Sequence, residues 1–242
     1  MSGSAPVGAV AGRGKLVVLE GPEGVGKTTQ VARVRDQLAA AGVAVESYRE
    51  PGGTPLGNAI RQLVLTPPEG IDVAPRAEAL LFMAARAQLL SQVEERLRAG
   101  VHVVLDRFFL STYAYQIVGR GLPAEEVRVA NRLATGGLVP DLTILITCEL
   151  DVAQGRMHAR GELDRLERED VDFHARVTHA FHAAADPRWQ RAHPEVGPVV
   201  RVDGEGTEAA VTQRIVECLA GRWPETFRTL AESQQGLITR GI

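Results

Sequence analysis

Gly21-Pro-Glu-Gly-Val-Gly-Lys-Thr28 stands between a short apolar run, Leu16 to Glu20, and a stretch of helical period, Thr28 to Ala41. The octet fits G-x-x-x-x-G-K-[ST], a pattern with a physical reason. The oxygens of a triphosphate must come within hydrogen-bond reach of several backbone N–H groups at once. Side chains would block that approach, and some loop torsions have positive φ, so glycine recurs. The loop delivers the chain into a helix N-terminus, whose free N–H groups and dipole favour an anion. Lys27 adds a mobile positive charge, and the Thr28 hydroxyl can ligate Mg²⁺. The expected ATP-binding set is therefore Gly21, Pro22, Glu23, Gly24, Val25, Gly26, Lys27 and Thr28. The pattern leaves open whether the γ-phosphoryl group goes to water or to an acceptor.

Five apolar runs read as buried parallel strands, at 16–20, 43–48, 101–106, 142–147 and 198–203. Helical segments separate them. The first, 28–41, has Val31, Val34 and Leu38 on one side and Gly42 as its stop. The second, 55–65, opens on a proline and carries Leu56, Ile60, Leu63 and Val64. The longest covers 77–99, and others fall near 111–118, 123–136, 151–159, 169–184 and 207–221. Strands alternating with helices imply βαβ units. The expected fold is α/β, a P-loop NTPase fold with a five-stranded parallel sheet and helices on both faces. Such a sheet binds ligands beyond the carboxyl ends of its strands, so every candidate site should follow a strand. One domain is expected over 15–223, with a disordered tail at 1–14 and an extension at 224–242 of no assigned role.

Charge and composition narrow the partners. Lys and Arg number 27 against 30 Asp and Glu, a net charge of −3, which is no footprint for nucleic acid or an anionic membrane. No apolar run approaches the ~20 residues of a membrane span, and the Gly-rich start does not resemble a secretory signal. Cys148 and Cys218 read as reduced thiols near the core. The expected setting is cytoplasmic.

Three later stretches bear on the acceptor, Arg49 to Thr54, Glu78 to Arg86 and Asp106 to Gln116, and the last two carry candidate chemistry. Phe82 and Arg86 are four residues apart on the longest helix and share a face. A flat ring beside a planar donor fork suits a nucleobase, although a core ring beside a solvated arginine fits that spacing too. Asp106 closes the third strand, where the carboxylate near a phosphate-bound Mg²⁺ usually sits. Arg107 can fork onto a phosphate; a surface ion pair is the alternative.

Taken together, GPEGVGKTT, REPGGT (49–54), LLFMAAR (80–86), DRFFLSTYAYQ (106–116), PDLTI (140–144) and RGELDRLE (160–167) resemble the bacterial-type thymidylate kinases. The resemblance covers about Leu16 to Trp223. It implies ATP plus dTMP giving ADP plus dTDP with Mg²⁺, and a homodimer formed through the long helix and its neighbours. It implies that Phe82 stacks on thymine, that Arg86 bonds its carbonyl edge, and that Thr112 and Gln116 complete the base contacts. Tyr115 packs under the deoxyribose; Arg61 and Arg107 grip the acceptor phosphate. Glu23 faces the sugar hydroxyl or the metal shell, Thr28 and Asp106 serve the metal, and Glu50 joins the acceptor site beside a cis bond to Pro51. Phe108 departs from relatives that carry Tyr or His there, which removes a polar contact without abolishing activity.

A phosphate monoester has its second pKa near ~6 and is mostly dianionic at neutral pH, so the acceptor needs no general base. Two anions must instead meet in line, and fixed positive charge must offset their repulsion. Lys27 and Arg107 are candidates, and so are Arg156, Arg160 and Arg165 of an Arg-rich segment, about 156–169, that resembles the family's lid. A solvated mixed-charge helix is the rival for that segment. For the chain as a whole, the rivals are another nucleoside monophosphate kinase, acting on dUMP, dCMP or dGMP, and a nucleotide-switch ATPase.

Overall fold

The computed structural model describes residues 12–161 and 163–227, with the Arg160 side chain also outside the description. Five strands alternate with helices in chain order. They are β1 (Leu16–Glu20), α1 (Lys27–Ala40), β2 (Val45–Arg49), α2 (Pro55–Leu65), α3 (Pro75–Arg98) and β3 (His102–Asp106). There follow α4 (Phe109–Thr112), a π-helical turn (Tyr113–Gly119), α5 (Ala124–Thr135), β4 (Leu142–Thr147) and α6 (Leu150–Arg160). The last are α7 (Val171–Ala183), α8 (Pro187–Ala192), a short 3₁₀ turn, β5 (Val199–Asp203) and α9 (Glu208–Arg222).

The strands form one sheet in the order β2-β3-β1-β4-β5, and every pairing is parallel. Period-2 alternation sends successive side chains to opposite faces. Leu16, Val18, Val103, Leu105 and Leu145 face one core layer, built with α2, α3, α5, α7 and the π-helical turn. Val17, Leu19, Val104, Leu142, Ile144 and Ile146 face the other, closed by α1 and α9. The expected α/β architecture with helices on both faces is the one observed. In the central strand β1, every residue through Glu20 is buried.

Most departures from the expected boundaries have local causes. The long helix begins at Pro75, because proline is pre-set for a first turn and needs no N–H partner there. The segment 111–118 is not one α-helix. It passes at Tyr113 into π-helical turns, and Tyr115 O accepts from Arg120 N. α7 starts at Val171 because the Asp170 side chain caps Phe173 N. α8 was not expected; Asp186 accepts from Arg188 N and Trp189 N and nucleates it just ahead of β5.

The two ends of the domain also differ. Of the tail expected at 1–14, residues 1–11 lie outside the described residues. Gly14 is tied in: its N–H donates to Leu97 O at 2.8 Å, and Arg13 Nη1 lies 2.7 Å from Asp141 Oδ2. At the other end Phe227 is fully buried, 5.2 Å from the His102 ring. The domain therefore runs on past 223, and residues 228–242 of the expected extension lie outside the description. Among the described residues no helix is long and apolar enough to cross a membrane.

Candidate active site

The loops and strand ends that follow β1, β2, β3 and β5 open onto one cleft of about 950 Å³, at the upper end of the range for ligand pockets, ~300–1,000 Å³. The loop Glu23–Gln30 lines one end, with Gly204, Gly206 and Thr207 after β5. Phe82, Arg86, Thr112 and Gln116 line the other, and Asp106 and Arg107 line it too.

The loop is built for close approach. A Cβ on Gly21, at φ 145°, would lie 2.3 Å from Ile146 O; one on Gly24, at φ 76°, would lie 2.3 Å from Ala153 O. Either contact is impossible without moving main chain, and the second is with α6. The loop then turns into the free N-terminus of α1. Lys27 folds back onto the loop, its Nζ donating to Pro22 O at 2.6 Å. Burial and the neighbouring Arg107 charge lower its pKa to about 8. Thr28 Oγ1 donates to Asp106 Oδ2 at 2.5 Å, which joins the loop to the end of β3. A hydroxyl and a carboxylate there are hard oxygen donors, the type Mg²⁺ takes.

Arg107 occupies the junction. Its φ of 72° is a left-handed conformation that costs a non-glycine residue roughly 1 kcal/mol or more. The surroundings hold it there. Nη1 donates to Ser111 Oγ at 2.7 Å and Gly21 O at 3.2 Å, and Nη2 to Glu23 Oε1 at 2.6 Å. The guanidinium also lies 5.2 Å from the Tyr115 ring, whose hydroxyl donates to Glu23 at 2.9 Å. Burial works against the Arg107 charge, but Glu23 and its neighbours overcome this and raise its pKa. Burial pushes the Tyr115 phenol well above its ordinary value.

At the far end Arg86 is held through two of its three nitrogens, Nε and Nη1. Nε donates to Glu50 Oε2 at 2.6 Å, and Nη1 to Asn131 Oδ1 at 2.7 Å and Thr112 Oγ1 at 3.1 Å. Its cation lies 4.8 Å from the Phe108 ring. Phe108 is thus a buried apolar floor under the guanidinium, so the departure noted in the sequence leaves no unsatisfied polar group. The Glu50–Pro51 peptide is cis. Glu50 Oε1 has no hydrogen-bond partner among the described residues, and burial pushes the carboxyl up to about 7 against the pull of Arg86. Arg61 reaches over to Pro51 O at 3.2 Å; burial and then Arg49 lower its pKa. Phe82 is half-buried on the cleft wall.

The three lid arginines separate. Arg156 donates to Gly204 O at 3.1 Å and Val25 O at 3.4 Å, which sets it against the loop. Arg160 ends the helix before Gly161 at φ 98°, and its side chain lies outside the described residues. Arg165 does not line the cleft. Its N–H and Nε bind the end of α2 at Leu65 O (2.9 Å) and Val64 O (2.8 Å), and Nη2 bonds Glu78. The reading of Arg165 as a group facing the transferred phosphate is corrected on this geometry: buried Glu78 and the α2 carbonyls take its donors.

Sequence reasoning passed over several residues that the cleft depends on. Glu20 is fully buried and accepts from Phe108 N, Ser111 N and Ser111 Oγ; burial raises its pKa. A lone acid ending an apolar strand was the available signal. Asn131 lies within an ordinary amphipathic helix and gave none.

A loop for a triphosphate facing a pocket with a ring, a donor fork and a phosphate-sized cluster of arginines defines a nucleotide kinase. A model of the family "Thymidylate kinase" matches residues 19–195. The chain is 47% identical over 182 residues to the thymidylate kinase of Deinococcus radiodurans, covering 74% of this chain and 86% of the relative. It is 44% identical over 210 residues to that of a Synechococcus species, strain JA-2-3B'a(2-13), covering 86% and 96%. It is 46% identical over 180 residues to that of Chromobacterium violaceum, covering 74% and 84%. The chain belongs to the thymidylate kinase family.

Proposed function

We propose that this protein transfers the γ-phosphoryl group of ATP to the phosphate of dTMP, giving ADP and dTDP. The observation that supports this most directly is the single cleft lined by both the phosphate loop and the Phe82–Arg86 wall, with Arg107 on its lining. A switch ATPase has no use for the second half.

In this reading ATP lies along Gly21–Thr28, with Lys27 leaving Pro22 O for the phosphates. At a pKa of about 8 the lysine is mostly protonated at neutral pH, and an arriving polyanion favours that charge further. The dTMP ring stacks on Phe82 and its carbonyl edge meets Arg86. Thr112 and Gln116 flank the base, and Tyr115 lies beneath the sugar. Arg61 and Arg107 take the acceptor phosphate; Glu23 holds Arg107 in place, and Glu50 does the same for Arg86. Thr28 and Asp106 would hold Mg²⁺, which supplies charge neutralisation between donor and acceptor phosphates. Among the described residues no group of three or more His, Cys, Asp or Glu could hold a metal, so the ion would depend on the nucleotide's own oxygens. No side chain needs to remove a proton from a phosphate dianion. The work of the site is positioning, charge compensation and exclusion of water. Arg156, already at the loop, is the lid cation best placed to turn toward the transferred group, with Arg160 following on the same helix.

A homodimer also belongs to this proposal. Three helices that pack on one another leave apolar side chains exposed: Leu56 and Leu63 on α2, Leu80 on α3, Val129 and Leu133 on α5. Burying them in a second copy removes an unfavourable apolar surface. The free thiols Cys148 and Cys218 fit a reducing, cytoplasmic setting.

The test is a panel of dTMP, dUMP, dCMP and dGMP with ATP and Mg²⁺, scored for ADP. dTMP should be the best acceptor. ADP release that no monophosphate accelerates would refute the kinase reading, and preference for another monophosphate would move the substrate.

A further inference from the structure

We propose that Glu78 is a positioning residue that fixes which end of the Gln116 amide faces the cleft, and so sets pyrimidine specificity. This deepens the dTMP reading and rests on it.

Glu78 lies in the first turn of α3 and is completely buried. A buried carboxylate requires compensation, and three donors from two other segments provide it. Gln116 Nε2 donates to Oε1 at 2.9 Å. Arg120 donates through Nη2 to Oε2 at 3.0 Å and through Nε to Oε1 at 3.3 Å. Arg165 Nη2 bonds Oε2. A carboxylate paired with two guanidinium groups only accepts. The Gln116 side chain has one donor end and one acceptor end, so the end that meets Glu78 must be the NH₂. Its carbonyl Oε1 is then the end left over. Among the described residues no donor is bonded to it, and Gln116 lines the cleft beside Arg86. The chemistry of Glu78 thus settles an orientation that side-chain shape alone would leave open.

The consequence is a two-point code on the cleft wall. Arg86 can only donate, and Gln116 is held so that it accepts. A pyrimidine-2,4-dione offers the complement, a carbonyl at C4 and an N–H at N3. Cytosine offers the inverse, an amino group at C4 and a bare N3, and meets donor with donor and acceptor with acceptor. Unpaired polar groups in a buried site are what make such discrimination steep.

The experiment compares kcat/KM for dTMP and dCMP in the wild type, Glu78→Gln and Glu78→Asp. A glutamine at 78 can donate, which frees Gln116 to turn. E78Q should raise KM for dTMP and lower the dTMP-to-dCMP ratio by about tenfold or more. E78D remains an acceptor and should keep the wild-type ratio within about threefold, even where both rates fall. An unchanged ratio in E78Q, or an equal collapse in E78D, overturns the proposal. Should E78Q fail to fold, Gln116→Met removes the acceptor and should lower the ratio as far; a retained ratio overturns the proposal in that case as well. A wild type inactive on dTMP refutes the kinase reading instead, so the two failures are distinct.

Discussion

The loop Gly21–Thr28 presents main chain to the cleft, whereas the wall from Phe82 to Gln116 presents side chains drawn from α3, α4 and the π-helical turn. The first is contiguous in sequence and leaves no room for side chains where main chain packs on main chain, as at Gly21 beside Ile146 O and Gly24 beside Ala153 O. The second depends on a relay of buried polar groups: Glu50, Asn131 and Thr112 around Arg86, and Glu78 behind Gln116. A backbone site tolerates change in most of its side chains but not in its glycines or its lysine. A side-chain site can be retuned at several positions, each with a limited loss. Mutations in the two halves should therefore differ in kind. Donor-side changes should act on turnover, and acceptor-side changes on apparent affinity.

Lys27→Ala should give the largest effect. A fixed cation at a developing phosphoryl charge contributes on the order of 10²–10³ in kcat. The KM for dTMP should move little, and urea unfolding should show no loss of stability, because a desolvated lysine is removed. A fall confined to the KM for dTMP would erase the distinction between the halves. Phe82→Ala comes next: it should raise the KM for dTMP by roughly tenfold or more with kcat nearly kept, since a stacking contact is made equally in ground and transition states. Steady-state kinetics with either substrate varied reads both variants, and an unchanged KM for dTMP removes Phe82 from the base site.

The lid arginines sharpen the comparison because they fall on opposite sides of it. Arg156→Ala should lower kcat by about tenfold and leave dTMP affinity by calorimetry near wild type. Arg165→Ala, which releases Glu78 and the end of α2, should act on dTMP affinity instead. The same split applies to Arg160→Ala, expected to lower turnover far more than dTMP binding. If Arg156→Ala and Arg165→Ala lose turnover and affinity in equal parts, the segment is one structural unit rather than a lid on an anchored foot.

How much of this was legible in the sequence follows from the same contrast. The loop could be read residue by residue because its constraint is local: a main-chain shape that only glycine allows, next to a strand and a helix. The five strands were legible because a sheet covered on both faces writes continuous apolar runs, and all five were placed within two residues at each end. The acceptor wall became legible only through its family resemblance, since Phe82 and Arg86 alone fit a core helix equally well. What escaped was what distant partners decide. Arg165 sits in an Arg-rich stretch that reads as a lid, yet buried Glu78 and the α2 carbonyls claim it. Asn131 looks like any polar residue of an amphipathic helix until Arg86 is placed beside it. The burial of Phe227 against His102 joins residues more than a hundred apart, and no local pattern announces it.

Glu50 acts on stability rather than on turnover, and gives the most direct view of the acceptor relay. Its carboxyl, ordinarily near 4.5, is pushed up to about 7 by burial, with Arg86 opposing. Between those values the folded protein keeps a proton that the unfolded chain has lost. Folded stability from this group is therefore full below about pH 4.5, declines as pH rises to about 7, and changes no further above that. The slope is on the order of 1 kcal/mol per pH unit at its steepest. Glu20 and Asp164, whose carboxyls burial also raises, add the same trend to the background. The difference between wild type and Glu50→Gln isolates the one residue. Urea unfolding at half-unit steps from pH 4.5 to 8 should show Glu50→Gln gaining on wild type as pH rises through that window. A difference that is flat, or of opposite sign, would mean that Arg86 holds Glu50 ionised throughout. The acceptor wall would then rest on a permanent buried ion pair, and dTMP affinity should show no dependence on the protonation of Glu50.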